Sequence, residues 1–288
     1  MPVDQPPDQV VEQVGDGTWS AVRGGDIAQA WRLDRRDGTR CFVKHLADAP
    51  EGFFGAEAKG LAFLAEPRAI GVPEVLAHSD GPGAGFIALE WIEPGSPSAT
   101  TDERLGRELA EMHQHHPTQF GGDGSPAFLG SVPIDGSPAD TWAELWAEHR
   151  LRPLARHAVD ARRLDPELAR RVEAVADHID QLAGLPEPPA RVHGDLWAGN
   201  LLVDTDGRPW LIDPSAHGGH RETDLAMMRL FGGFSDRCFG AYAEVAPLAE
   251  GWQQRVPLHQ LVPLLVHVIL FGGGYEASLS RCLGALGH

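Results

Sequence analysis

The sequence has no run of about 18 or more apolar residues, the length a membrane-spanning helix needs. Its N-terminus, MPVDQPPDQVVEQ, lacks the basic and apolar regions of a secretory signal. Thiols are few: Cys41, Cys238 and Cys282 are odd in number and scattered, which argues against a disulfide frame or a zinc site. Reduced thiols and a cytoplasmic location are therefore expected. Positive charge is also short, with a formal net charge of −17. Such a chain repels polyanions, so nucleic acid is not an expected partner; the charge suits a cationic acceptor and equally a merely solubilising acidic surface. No internal repeat is present. The 288 residues are ample for two lobes with their own cores.

What is present gathers in residues 191–213, RVHGDLWAGNLLVDTDGRPWLID. Asp195 stands two residues after His193, Asn200 five after Asp195, and Asp213 thirteen after Asn200. Leu201-Leu202-Val203 and Trp210-Leu211-Ile212 have strand character. Asp204-Thr205-Asp206-Gly207 supplies the turn, with Gly207 tolerating a positive φ. Such a hairpin returns Asn200 and Asp213 to the same end, within reach of one cation. Protein kinases build their phosphoryl-transfer site from the same parts: His-x-Asp, an Asn five residues on, and a second Asp after a short hairpin. On that pattern Asp195 is the expected base, and Asn200 and Asp213 the expected Mg²⁺ ligands. A lone HGD would mark only a polar turn; the coincidence of all four features carries the reading.

Upstream, Thr18 to Val22 and Ala28 to Leu33 read as strands joined by Arg23-Gly24-Gly25-Asp26. Gly24 and Gly25 would let backbone N–H groups approach phosphate oxygens, although two glycines alone specify no more than a turn. Lys44 lies near the end of a third strand, TRCFVKHL, placed to meet α- and β-phosphates. In FFGAEAKGLAFLAE, residues 53–66, Phe54, Ala58, Leu61 and Ala65 recur at helical spacing. Glu57 lies beside that face and is the expected partner of Lys44. Strands at Val75 to Ala77 and Phe86 to Ile92 come next, then the linker Glu93-Pro94-Gly95. Backbone groups of Glu90 and Ile92 are expected to read the adenine edge.

From Asp102 the pattern turns helical, with Asp102 the expected cap of a helix bearing Leu105, Leu109 and Met112. Residues 117–140 read as one long loop, followed by a helix from Trp142 to about Arg150 and then Pro153. Pro263 should kink a later helix or mark its first turn. His113, His115 and His116 lack ligand partners at metal spacing. The expected architecture is α+β and bilobal. Residues 1–92 form a small β-rich nucleotide-binding lobe with one main helix; residues 93–288 form a larger, mostly helical catalytic and substrate-binding lobe.

With these residues assembled, the chain resembles the fructosamine kinase (ketosamine-3-kinase) family, within the protein-kinase-like fold. HGDLWAGN at 193–200, LIDPSAHGGHRETDLAMMRLFGGF at 211–234, PLAEGWQQR at 247–255 and HQLVPLLVHVILFGGGY at 259–275 carry the resemblance. It implies ATP and Mg²⁺ as cofactors and phosphorylation of the sugar 3-hydroxyl of a ketosamine, a step in deglycation. It also implies that Trp197 either walls the sugar pocket or is a buried indole. Asp224 is expected to cap a helix starting at Leu225 and to anchor the catalytic loop. Family members often carry a cysteine in the glycine-rich loop, where this chain has Asp26; a loop-linked dimer is not expected, and the protein should be monomeric.

The alternative reading is an aminoglycoside- or choline-kinase-like phosphotransferase, which shares HGDxxxxN and the second Asp. The 215–234 segment favours ketosamines. A protein kinase fits less well. Gly194 replaces the arginine of HRD, Pro214-Ser215 replace the Phe-Gly of DFG, and no APE is present. A catalytically dead binding module is argued against by the presence of Lys44, Asp195, Asn200 and Asp213 together.

Overall fold

The computed structural model of the chain describes residues 5–22, 28–81 and 85–288. Helix α1 (Asp8–Val14) leads into strands β1 (Gly17–Ala21), β2 (Gln29–Arg35) and β3 (Arg40–His45). Helix α2 (Phe53–Ala65) and strands β4 (Val75–Ser79) and β5 (Phe86–Glu90) come next. The strands form one antiparallel sheet in the order β1-β2-β3-β5-β4.

Alternation along β3 decides what the strand offers to each side. Cys41 and Val43 pack with Val10 and Val14 of α1, whereas Phe42 packs toward Phe54 and Leu61 of α2. Lys44 shares the Phe42 face, which aims its ammonium at α2. Phe54, Glu57, Leu61 and Leu64 make the buried stripe of that helix. Each fully buried Phe or Leu there contributes about 1.5–3 kcal/mol, enough to hold Glu57 beside the sheet.

The chain leaves β5 through Glu93-Pro94-Gly95. Here the Gly95 N–H donates to the Val203 carbonyl at 2.7 Å. A Cβ at Gly95 would lie 2.0 Å from the Asp204 carbonyl oxygen, so only glycine lets the linker press on the hairpin.

Helix α3 (Ala99–Gln114) is next, and Ser98 caps it rather than Asp102. Ser98 Oγ accepts from the Thr101 N–H at 3.2 Å, and the Thr101 hydroxyl accepts from the Ser98 N–H at 3.1 Å. Asp102 lies in the first turn and accepts from the Ser235 hydroxyl.

Residues 117–140 are not one loop. They hold β6 (Phe120–Gly121), β7 (Ala127–Leu129), β8 (Val132–Ile134) and β9 (Pro138–Ala139), strands too short to leave an alternating signature. Helix α4 (Trp142–Trp146) passes through a π-helical turn at Ala147–Leu151 into α5 (Arg152–Asp160). Pro153 therefore does not end the helix. It sits in the first turn of α5, where a missing N–H costs little.

Helices α6 (Pro166–Asp177) and α7 (Ile179–Leu182) precede strands β10 (Ala190–Val192), β11 (Leu201–Val203), β12 (Pro209–Leu211) and β13 (His217–Gly219). The β11–β12 hairpin pairs Leu201 with Leu211 and Val203 with Pro209, as the spacing requires. Strands β10, β13, β6 and β9 form a second sheet in that order.

Helices α8 (Glu222–Phe231), α9 (Asp236–Val245), α10 (Trp252–Phe271) and α11 (Glu276–Ala285) complete the chain. Helix α10 runs unbroken through Pro263, whose carbonyl accepts from His267 Nδ1 at 2.7 Å. By length and composition α10 could cross a membrane, a property that counting uninterrupted apolar residues misses. Its Leu258, Leu261, Leu265 and Val268 are buried in the core built with α4, α5 and α11.

Replacing Ser98 by Ala removes one side of the α3 capping box and should lower stability by about 1 kcal/mol. Urea unfolding would show this as a reduced midpoint at unchanged slope, with catalysis unaffected. An unchanged midpoint would mean that the cap adds nothing.

Candidate active site

Strand β10 delivers the chain to His193, where a buried carboxylate shapes the turn into Asp195. Asp224 Oδ2 accepts from the His193 backbone N–H at 2.7 Å, and Oδ1 from that of Gly194 at 2.9 Å. His113 Nε2 lies 3.1 Å from Asp224, and its Nδ1 lies 2.8 Å from the Tyr242 hydroxyl. Burial alone would raise the Asp224 pKa, but these donors outweigh it and hold the carboxyl below its ordinary range. Asp224 is the third residue of α8, so it does not cap a helix at Leu225; that helix already starts at Glu222.

His193 completes the turn. Its Nε2–H donates to the Ile212 carbonyl at 2.9 Å, and Nδ1 accepts from the Asp195 N–H at 3.2 Å. Burial lowers its pKa against the pull of Asp224, which keeps the ring neutral. Gly194 has φ +79, and a Cβ there would lie 2.2 Å from the Ser215 carbonyl oxygen. No arginine fits at that point, which explains HGD in place of HRD.

Asp213 lies just beyond β12 with φ +53, a left-handed conformation uncommon for a residue with a side chain. Lys44 Nζ is 2.8 Å from Asp213 Oδ1 and 2.8 Å from Glu57 Oε2. Burial works against the Lys44 charge, but Asp213 and Glu57 outweigh it and raise the pKa above its ordinary value. Glu57 is raised as well, by burial first and by the Asp213 charge, with Lys44 opposing. A Cβ at Gly60 would meet Pro214 Cγ at 3.1 Å, so α2 packs closely beside Asp213.

Asn200 Nδ2 donates to the Asp195 carbonyl at 2.8 Å and to Asp195 Oδ2 at 3.1 Å. Burial pushes the Asp195 carboxyl up to about 7; the Asn200 hydrogen bond opposes this and the charges of Asp213 and Asp224 add to it.

These groups line a cavity of about 1020 Å³. Trp197 borders it and is 39 % exposed, so it is not a core indole. Its ring lies over Gly199, where a Cβ would come within 2.2 Å. Phe231 meets Trp197 edge-on at 6.3 Å, and His267, Phe271 and Tyr275 extend the aromatic wall.

The aromatic wall does not stand out in the sequence. The LFGGF and FGGGY segments carry the signal for the wall, since their aromatics sit next to glycine turns. Composition carries another: Lys44 and Lys59 are the chain's only lysines, and Asn200 its only asparagine. Glu90 ends β5, and its N–H is spent on the Glu74 carbonyl at 2.9 Å. Glu90 lies on β5, the strand paired with the Lys44 strand, and neither it nor Ile92 is among the residues that line this cavity. Gly24, Gly25 and Asp26 lie outside the described residues.

The sequence model of the family described as fructosamine kinase matches residues 6–286. A protein of Synechocystis named a probable ketoamine kinase is 34% identical over 299 residues, 98% of each chain. A crystal structure of a Thermobifida fusca protein, proposed to be a fructosamine-3-kinase, superposes with a TM-score of 0.89 at 44% identity, covering 98% of both chains. The choline kinase LicA of Streptococcus pneumoniae shares only 15% identity at a TM-score of 0.64, a likeness of protein-kinase-like fold alone.

Lys44→Met is expected to cut kcat/KM about 10²–10³-fold, the loss typical of one preorganised charge-stabilising donor. Glu57→Gln should cost less, because its amide oxygen can still accept from Lys44. Steady-state kinetics of both variants check this, and a Glu57→Gln loss equal to that of Lys44→Met would contradict the ranking.

The raised Asp195 pKa carries a sign. Only the carboxylate accepts a proton, so kcat/KM should fall as pH drops through the Asp195 pKa. A bound cation lowers that pKa, which puts the acidic limb at or below about 7. A pH–rate profile with its acidic limb well above 7 would exclude Asp195 as its source.

Proposed function

The chain belongs to the fructosamine kinase family and is an ATP-dependent kinase; from that premise we propose that it phosphorylates the 3-hydroxyl of a ketosamine sugar. The observation that supports this reading most is the meeting of Lys44, Glu57 and Asp213 at 2.8 Å contacts, beside Asp195 and Asn200, on a cavity with an aromatic wall. On this reading residues 1–92 hold the nucleotide and 93–288 the acceptor.

The donor set fits a hard divalent cation. Asp213 offers carboxylate oxygen, and Asn200 spends its Nδ2 on Asp195, which leaves Oδ1 without a donor among the described residues. Asp213 and Asn200 would hold Mg²⁺, which when bound offsets the charge of the phosphate oxygens. Lys44 supplies a second positive charge on the nucleotide, kept in place by Glu57. Asp195 orients the acceptor hydroxyl and takes its proton. Asn200 fixes the Asp195 carboxylate, and Asp224 fixes the backbone that bears it.

The acceptor reading draws on the relatives' names and on the wall that Trp197, Phe231 and Tyr275 form, since sugar C–H faces pack on aromatic rings. An aminoglycoside or choline acceptor has support from fold likeness alone. The −17 net charge suits an acceptor with an amine.

Asp195→Asn keeps side-chain size and removes the base. Phosphorylation should drop roughly 10²–10⁴-fold, while ATP affinity stays within a few-fold. In the same assay a ribulose- or fructose-modified amine should gain a 3-phosphate, seen by phosphorus NMR, and aminoglycosides and choline should not. Turnover of an aminoglycoside but of no ketosamine would overturn the acceptor assignment. Loss of ATP binding in Asp195→Asn would overturn its role as base.

A further inference from the structure

Among the described residues, three basic side chains border the cavity: Lys44, Lys59 and Arg150. Lys44 is paired with Glu57 and Asp213, and Lys59 with Asp123 at 3.4 Å. Arg150 has no carboxylate bonded to it among the described residues, although its side chain is only 2 % exposed. Its Nη1 donates to the Asp135 carbonyl at 2.5 Å and to the His149 carbonyl at 3.1 Å. Nε and Nη2 donate to no atom of the described residues. Other buried charges in the chain are treated differently: Arg191, at 9 % exposure, pairs with Glu66 at 2.6 Å.

The backbone around Arg150 is also special. It lies in the π-helical turn between α4 and α5, a distortion that recurs at functional sites. Ile134, Gly194, Ser215, His217 and Pro263 line a small recess with it, none of them from β3 or α2. The charges that act on Asp195 come from Asp213 and Asp224, and Arg150 is not among them. Burial lowers its pKa to about 10, with the nearby Asp135 carboxylate opposing, and it stays protonated at neutral pH. A guanidinium with a free edge matches a planar or tetrahedral oxyanion through two parallel hydrogen bonds.

We propose that Arg150 is a specificity-determining residue that binds an anionic group on the acceptor, a carboxylate or a phosphate. This rests on the ketosamine reading and narrows it. The preferred acceptors are small adducts that carry their own anion: an α-amino-acid ketosamine, with a carboxylate next to the amine, or an adduct of a sugar phosphate. A protein lysine adduct offers neither.

The test compares ketosamines of one sugar made from glycine and from glycinamide, with a 5-phosphate ribulosamine of glycinamide as a third arm. Wild-type kcat/KM should favour one charged adduct over the neutral one at least tenfold, through KM; which arm shows it separates carboxylate from phosphate. In Arg150→Gln that preference should shrink to within about twofold, with kcat on the neutral adduct nearly unchanged, and Arg150→Lys should fall between. A wild type that treats all three alike would overturn the proposal. So would an Arg150→Gln defect of equal size on every adduct, which would mark a contact to the transferring phosphoryl group or to the sugar.

Turnover of the glycinamide adduct tests the ketosamine reading separately. A readout without turnover is the thermal midpoint in N-acetylglycine and in inorganic phosphate. One of these anions should raise it in the wild type and not in Arg150→Gln. If Arg150→Gln fails to fold, the wild-type acceptor comparison and Arg150→Lys still decide. If no ketosamine is turned over, equal midpoints in wild type and Arg150→Gln under both anions overturn the proposal.

Discussion

A single buried carboxylate organises the turn that carries Asp195. Asp224 is fully buried, yet it stays charged because two backbone N–H groups and one imidazole converge on it. A buried charge without such donors would cost several kcal/mol. With them, the same charge becomes a template: the backbone of His193 and Gly194 can take only the path that satisfies it. Asp195 and Asn200 lie further along that path. Helices α3, α8 and α9 meet at this point through His113, Asp224 and Tyr242, so the packing of these helices and the order of the loop rest on the same contacts.

The second organising contact crosses the molecule. Lys44 comes from the first sheet, Glu57 from the helix packed on it, and Asp213 from the end of the hairpin. Lys44 and Glu57 are buried, and neither charge would be tolerated alone there. Their meeting requires β3, α2 and the hairpin to be in place at once, which ties the placing of these three charges to the packing of the first sheet and α2 beside the hairpin. The β7–β8 hairpin adds to this. Phe128 stacks edge-on against Phe53 at 5.2 Å, and Lys59 reaches Ser125 at 2.6 Å, so α2 is gripped by the chain that comes after the linker.

Local chemistry makes much of the site legible in the sequence. The hairpin between Asn200 and Asp213 arises from two apolar triplets and a Gly207 turn, and it forms in the expected register. Lys44 on a strand and Glu57 on an amphipathic helix are likewise readable, because period-two and period-3.6 patterns are properties of the chain itself. Short or strained features are not. The strands within 117–140 are two or three residues long, below the length at which alternation can be seen. The Ser98 cap outcompetes Asp102 because its Oγ and the Thr101 hydroxyl satisfy two backbone donors between them. The helix begun at Trp142 does not stop at Pro153, because a π-turn moves the proline into the first turn of the next helix, where its missing donor does no harm.

The sequence by itself determined the chemical inventory and its spacing along the chain: an acid, an amide and a second acid on a loop and hairpin, a strand lysine, a helix glutamate, and a strongly anionic surface. These depend on covalent order and local periodicity. Only the tertiary structure decided which of these groups are paired and which are left free. Lys44 was expected to serve phosphate, and the fold shows it held meanwhile by two carboxylates. Arg150 carries no signal at all in the sequence, being one arginine among many on a helix. It becomes distinctive only when packing buries it beside the cavity with no carboxylate bonded to it among the described residues. Partners as distant as Lys44 and Asp213, 169 residues apart, are chosen by the fold, because burial and dielectric surroundings exist only once the chain has closed on itself.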